Sequence, residues 1–394
     1  MKRCDNLSTV GIIAEFNPLH TGHKFLLESA QKKGTVVCVI SSNFVQRGDT
    51  ALIEKRKRTE AALKCGADVV LELPVYWSMS TAQNFALGGV SILKDFGCDT
   101  LMFGSENGNI YELEKAVNIL SSEKFAEILQ DELNKGITFA QARENAALKC
   151  GAEEGLLSGA NNNLGIEYIL ASKAIGASLN FETVKRIGAG HDSTNISDGY
   201  TSASNLRNII KTGDFQQAAE FIPKPALNFT NSDISDISRL ENAILTSLRK
   251  MKKEDFSLLP DLSEGLENKI FSASRVAVSL EELYNEVKVK RYTHARIRRI
   301  ILSAFLGLDN SFFMKKPPYI RVLGFSKNGE RLLKEKSKLS PIPVITKAKD
   351  ILNLGEAENK LFNAECRATD LYALSLKKPL PCGLEYTSKI IKTE

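Results

Sequence analysis

Two of the chain's four histidines, His20 and His23, stand three residues apart in "EFNPLHTGH", around a glycine. They follow the apolar run "TVGIIA" and precede "KFLLESAQKKG", where a strand-like pattern gives way to a helical one. Asn17 and Pro18 close the strand, and Gly22 lets the backbone approach a ligand at the start of the next helix. If that helix starts at about Leu19, both imidazoles lie on one face. Two imidazoles at a helix N-terminus suit a phosphate-rich anion. A metal pair is the poorer alternative, because "HTGH" lacks the glutamate of H-E-x-x-H. The remaining alternative is that one of the two only caps the helix or packs.

A second candidate is "YTSASNLRNIIKTG". Ser202 and Ser204 offer hydroxyls and backbone N–H groups at a helix start, and Arg207, one turn in, can neutralise a phosphate. An ordinary capped helix with a surface arginine has the same pattern. A third is "SSNFVQRGDT", a loop that could close over a substrate. Its Arg47 is a carboxylate or RNA contact and Asp49 a metal or base partner, against a solvated turn.

Two basic runs suggest a polyanionic partner. Lys288 to Arg299, "KVKRYTHARIRR", holds six basic residues and no acid, with Tyr292 and His294 interleaved. Its Lys288, Lys290, Arg291, Arg296, Arg298 and Arg299 can attract phosphates while an aromatic stacks on a loop base. The other reading is a solvated helix face paired with the acidic "SLEELYNE" before it. "KRKR" at Lys55 to Arg58 is the second run, with Lys55 and Arg56 as RNA candidates beside the QRGD loop.

The elements that must position these residues read clearly. Up to about Ile187, short Val/Ile-rich runs alternate with longer helical stretches, which indicates a parallel sheet covered by helices. In such folds ligands bind beyond the carboxyl ends of the strands. The unusual residues cluster there, in "EFNPLHTGH", "SSNFVQRGDT", "ELPVYWS", "FGSENG" and "KRIGAGHD". Near "FIPKPALNFTNSD" the alternation stops, so a boundary is expected at about residue 225. Beyond it the chain is mostly helical, with a small mixed portion near its end.

With 394 residues, 43% hydrophobic and 25% charged, the chain has the composition of a globular protein with two domains. Its seven dispersed cysteines form no C-x-x-C pair, as expected of reduced thiols in an intracellular protein. No apolar run is long enough to span a bilayer and no signal-peptide pattern is evident, so a cytoplasmic location is expected. A net charge of +5 is too small by itself to argue nucleic-acid binding.

The N-P-x-H-x-G-H stretch and the S-x-S-x-x-R helix together resemble the signatures of the HIGH-type nucleotidyltransferase superfamily. "GIIAEFNPLHTGH", "SSNFVQRGDTALIEKRKRTEAALKCGADVVLELP", "LMFGSENG", "NNNLGIEY", "VKRIGAGHD", "KRYTHARIRRIILSAFLG" and "YIRVLGF", in this order, resemble the bacterial tRNA(Met) cytidine acetate ligase family across nearly the whole chain. The resemblance implies a Rossmann-like nucleotidyltransferase domain (1–225) and a mostly helical C-terminal domain (226–394) that binds tRNA. It implies activation of acetate by ATP to acetyl-adenylate. The acetyl group then passes to N4 of the wobble cytidine of elongator tRNA(Met).

It also implies an ATP site. Ile13, Ala14, Glu15, Phe16, Asn17, Pro18, Leu19, His20, Thr21, Gly22, His23, Lys24, Phe25 and Leu26 match the nucleotide loop. Gly104, Asn162 (or Asn161 or Asn163) and Arg186 match its other contacts. Lys185, Arg186, Ser202, Ser204 and Arg207 would meet the remaining phosphate charge, with a magnesium ion as companion. His20, His23 and Arg47 are the catalytic candidates, and no protein-held metal is expected. Two other functions fit parts of the pattern: a small-molecule adenylyltransferase, or a catalytically silent nucleotide-dependent RNA-binding protein. The first leaves the long C-terminal half without a purpose.

Overall fold

A computed structural model describes residues 8–186, 201–263, 265–289, 292–312 and 314–394. Strands β1 (Thr9–Ala14), β2 (Thr35–Ser41), the short pair β3 (Phe44–Val45) and β4 (Asp49–Thr50), β5 (Val69–Leu73), β6 (Thr100–Ser105) and β7 (Asn180–Lys185) come from the first half. Strands β8 (Ile320–Phe325), β9 (Val344–Ile345) and β10 (Ile391–Lys392) come from the last part. The main sheet runs β10-β8-β5-β2-β1-β6-β7, with β9 on β8. From β5 to β7 the pairing is parallel throughout. β3 and β4 form a separate antiparallel hairpin.

The inner parallel strands are buried on both faces, as their continuous apolar runs require; every residue of β5 is buried, whereas no residue of the edge strand β7 is. Helix α1 (Thr21–Gln31) and α2 (Lys55–Lys64) cover one face, joined by the helix Ala203–Lys211 in a core of Leu26, Leu27, Leu63 and Leu206. After the short α3 (Val75–Ser78), α4 (Ala82–Phe96) covers the other face with the helix Ala160–Ala174.

The helical body between residues 241 and 306 has a core of its own, built on Ile244, Leu248, Ile270, Leu283, Ile297 and Ile301. Phe44, Val75 and Met79 join that core, so the body is seated on the hairpin and α3. The expected division near residue 225 does not separate the sheet. β8 returns from the C-terminal part to pair antiparallel with β5, and β10 pairs with β8.

A buried ionic cluster fastens these C-terminal pieces down, and it holds Lys55. The Lys55 ammonium is fully buried among Glu72 of β5, Glu385 (2.5 Å) and Glu365 (3.6 Å). Arg321 of β8 completes it, reaching Glu385 at 2.5 Å and Glu72 at 3.3 Å. The expectation that Lys55 contacts RNA is therefore corrected, because its charge is spent on internal carboxylates and none of it reaches solvent. Arg58 of the same run is also buried (1% exposed). The six described cysteines are free. No helix among the described residues is long and apolar enough to cross a membrane.

Candidate active site

A cleft of about 210 Å³ opens beyond the carboxyl ends of β1, β6 and β7, at the start of α1. The sequence leads there directly. β1 ends at Ala14, and Phe16 then takes a positive φ of 47°, a strained turn for a residue with a side chain. The side-chain Oδ1 of Asn17 accepts the Leu52 N–H at 2.7 Å, tying the bend to the chain after the hairpin. Arg58 holds the strand ends from beneath. Its guanidinium donates to the carbonyls of Glu15 (2.6 Å), Ser41 (3.0 Å), Ser42 (2.7 Å) and Ile53 (2.8 Å).

Helix α1 begins at Thr21, two residues later than the sequence suggests, because His20 is its N-cap. The Gly22 N–H donates to His20 Nδ1 at 3.1 Å, and the His20 N–H donates to His23 Nδ1 at 3.3 Å. Both histidines thus cap the helix and also line the cleft. Their rings stack at 3.7 Å between centroids, and the edge of Phe16 packs on His23. With Nδ1 accepting in each, the proton of the neutral ring sits on Nε2. Burial, then the neighbouring His20 and Arg186, push the His23 pKa well below its ordinary value; a contact with the Pro18 carbonyl offsets this only partly. His23 is therefore neutral at pH 7. The Thr21 N–H is taken by the Phe221 carbonyl at 2.9 Å, so the first turn is less open than the sequence suggests.

Four cations line the cleft among the described residues: Arg47, Lys185, Arg186 and Arg207. Arg207 donates to the Asn17 carbonyl and to Ser204 Oγ, both at 2.9 Å, and so locks the serine–arginine helix to the β1 turn. Ser202 caps that helix, accepting the Asn205 N–H at 3.1 Å; neither serine lines the cleft. Gly104 of β6 does line it. Of the asparagines, Asn161 lines it and Asn162 does not: Asn162 is buried, accepting the Glu106 N–H at 2.9 Å.

Glu106, part of "FGSENG" but given no role by the sequence, organises this corner. Its carboxylate accepts the N–H groups of Asn161 (2.9 Å) and Asn162 (2.6 Å) and the Asn161 side-chain amide (2.7 Å). Burial would raise its pKa, but these hydrogen bonds outweigh it and hold the group below its usual range. Of the nucleotide loop, Ile13, Ala14, Glu15, Phe16, Asn17, Gly22, Phe25 and Leu26 line the cleft with the histidines. Pro18, Leu19, Thr21 and Lys24 do not; Leu19 is core and Lys24 pairs with Glu28 at 3.4 Å. The "IGAGHD" stretch lies outside the described residues.

The hairpin β3–β4 brings Gln46 and Arg47 into the lining of the cleft. Gly48 sits at its tip with φ of 70°, and its N–H closes the turn onto the Val45 carbonyl at 2.9 Å. A Cβ there would come within 2.6 Å of the Arg298 Cβ. Burial raises the Asp49 pKa, opposed by Lys211, Arg298 and Arg207; Asp49 does not line the cleft.

The helix His294–Leu306 buries Ile297, Ile300, Ile301, Leu302, Phe305 and Leu306. At roughly 1.5–3 kcal/mol per buried side chain, that face fixes how the helix is rolled and where its arginines lie. They work internally. Arg296 donates to the Asp261 carbonyl at 2.8 and 2.9 Å. Arg299 pairs with the Asp261 carboxylate at 2.7 Å and donates to the Gln46 carbonyl at 3.2 Å. Arg298 lies over the Tyr284 ring, and Lys288 bonds the Val289 carbonyl at 3.1 Å. Arg56 donates to the Lys389 carbonyl at 3.0 Å. Lys290 and Arg291 lie outside the described residues.

Residues 7–383 match the family model described as HIGH Nucleotidyl Transferase. The tRNA(Met) cytidine acetate ligase of Thermoanaerobacter sp. (strain X514) is 38% identical, over 98% of this chain and all of that one. That of Caldanaerobacter subterraneus subsp. tengcongensis is 37% identical over the same shares. This chain belongs to the HIGH nucleotidyl transferases, in the tRNA(Met) cytidine acetate ligase family. The fold agrees. The crystal structure of apo Thermotoga maritima TmcAL superposes with a TM-score of 0.90 at 28% identity, covering 98% of this chain and 99% of that one. The same protein bound with alpha-thio ATP superposes at 0.88 with 29% identity.

Proposed function

We propose that this protein is an ATP-dependent ligase that converts acetate and ATP to acetyl-adenylate and transfers the acetyl group to N4 of the wobble cytidine of elongator tRNA(Met). The observation that carries this is the cleft itself: two stacked histidines at the start of α1, facing four cations, in a chain collinear with acetate ligases over nearly its full length. A carboxylate oxygen attacks the α-phosphorus, the bond to the bridging oxygen breaks, and pyrophosphate leaves. This step needs positioning and charge neutralisation rather than a protein nucleophile. The neutral imidazoles donate hydrogen bonds as charge moves to the leaving group, and Arg186, Lys185 and Arg207 offset that charge. Arg47 faces the same space from the hairpin and is the proposed contact for the acetate or tRNA.

The proposed magnesium ion would come as a companion of the triphosphate. No cluster of three or more potential protein ligands exists among the described residues, and such ions are commonly held by substrate phosphates with one or two carboxylates. It would add positive charge at the phosphates. For tRNA, the proposed contacts are Arg47 and Lys185, which are exposed and line the cleft.

The test is direct. Purified protein is incubated with labelled acetate, ATP and unmodified elongator tRNA(Met), and the digested tRNA is searched for N4-acetylcytidine. Label in that nucleoside only when ATP and tRNA are both present is the expected result. Absence of acetate-dependent pyrophosphate release would refute the ligase.

A further inference from the structure

The transfer half of the proposed reaction needs a proton acceptor. The cytosine amine is a weak nucleophile because its lone pair is delocalised into the ring. When it attacks the acyl carbon, the nitrogen must lose a proton. Among the described residues lining the cleft, Glu15 is the one carboxylate.

Its position suits the task. Glu15 is the first residue past β1, the strand between β2 and β6. From the β6 and β7 side come Gly104, Lys185 and Arg186; from beyond β2 come Gln46 and Arg47. Glu15 therefore stands where the nucleotide half of the cleft meets the hairpin half, across which an acyl group must pass. It is also held still. Its carbonyl accepts from Arg58 at 2.6 Å, and its Oε1 accepts the Gln46 N–H at 3.0 Å.

Three other acids among the described residues are engaged elsewhere. The Glu106 carboxylate is occupied by Asn161 and Asn162. Asp49 does not line the cleft and faces Lys211, Arg298 and Arg207. Asp261 pairs with Arg296 and Arg299.

We propose that Glu15 is the catalytic base of acetyl transfer, resting on the acetate-ligase reading above. The N4 lone pair forms the C–N bond to the acyl carbon, the C–O bond to the adenylate phosphate breaks, and AMP leaves with those electrons. The proton from N4 goes to the Glu15 carboxylate.

The decisive variant is Glu15→Gln, which keeps an acceptor oxygen for the Gln46 N–H but removes the basic carboxylate. Two half-reactions are measured separately: pyrophosphate release with acetyl-adenylate formation, and single-turnover transfer from preformed acetyl-adenylate to tRNA. In Glu15→Gln, transfer from preformed acetyl-adenylate slows by roughly 10²–10⁴-fold, the usual worth of a general base. Transfer within threefold of the parent would overturn the proposal. Loss of adenylate formation would also overturn it, placing Glu15 with the phosphates instead. If the parent protein forms no acetyl-adenylate, the ligase reading itself fails, a result distinct from either.

Discussion

Replacing Lys55 by methionine tests the reassignment of the "KRKR" run from RNA contact to internal clamp. The cluster holds three carboxylates and two cations within the fold. Burial, then the neighbouring Glu72, push the Glu365 carboxyl up to about 8, so at pH 7 it is mostly protonated. That leaves Glu72 and Glu385 balanced by Lys55 and Arg321. Lys55→Met removes one cation from a site whose members are at most 6% exposed, leaving an uncompensated buried carboxylate. Breaking a buried pair in this way costs about 3–5 kcal/mol. Adding Glu385→Gln restores the balance, and the pair should recover about 2 kcal/mol of that loss, within the range seen for contacting residues. Denaturant unfolding at pH 7 can be followed by Trp77, the single tryptophan, which is 1% exposed. It lies in α3, whose first residue, Val75, donates its N–H to Glu365. A Lys55→Met protein within 1 kcal/mol of the parent, or a double variant no more stable than the single one, would refute that charge balance. An RNA-contact role for Lys55 would leave stability intact and weaken tRNA binding instead.

Two further predictions address the cleft. The His23 pKa is depressed in the folded state, so below about pH 6.5 the unfolded chain binds a proton that the native one does not. Stability therefore falls as pH drops, by up to about 1.4 kcal/mol per unit, until the native ring protonates. His23→Gln should flatten that slope between pH 6.5 and 5.5, and an unchanged slope would contradict the assignment. Gly48→Ala places a side chain at φ of 70° against Arg298. It should destabilise the fold by roughly 1–2 kcal/mol and cut acetylation more than it cuts ATP binding, as measured by titration with a non-hydrolysable analogue.

Much of the fold and the site is legible in the sequence because the inner parallel strands are apolar runs and the site residues follow the strands directly. β1, β2, β5, β6 and β7 all lie where such runs occur. The start of α1 escapes sequence reading because capping rules look for Ser, Thr, Asp or Asn, and in this helix an imidazole nitrogen does the same work. Lys55 and Arg58 escape it for a different reason. Basic residues near a helix start default to solvent, and the groups that hold them lie on other elements: Glu72, Glu365 and Glu385 for Lys55, the ends of β1 and β2 for Arg58. Likewise nothing local to "YIRVLGF" says that β8 forms there with β5 as its antiparallel partner. Asn161 and Asn162 are adjacent on one helix, so only the trajectory of that helix decides which one faces the cleft.

The arginines of the helix His294–Leu306 show how the helical body bears on the chemistry. Arg299 joins the Asp261 carboxylate to the Gln46 carbonyl, and the Gln46 N–H in turn holds Glu15 Oε1. Two hydrogen bonds thus run from Arg299 of the helical body to Glu15, with the Asp261 pair behind them. Hydrogen bonds to charged groups are each worth about 1.5–3 kcal/mol, so an RNA phosphate that captured Arg299 would have to replace two of them. It would also release the wall that carries Arg47. Through Arg299, the basic helix holds the hairpin residue that in turn holds Glu15.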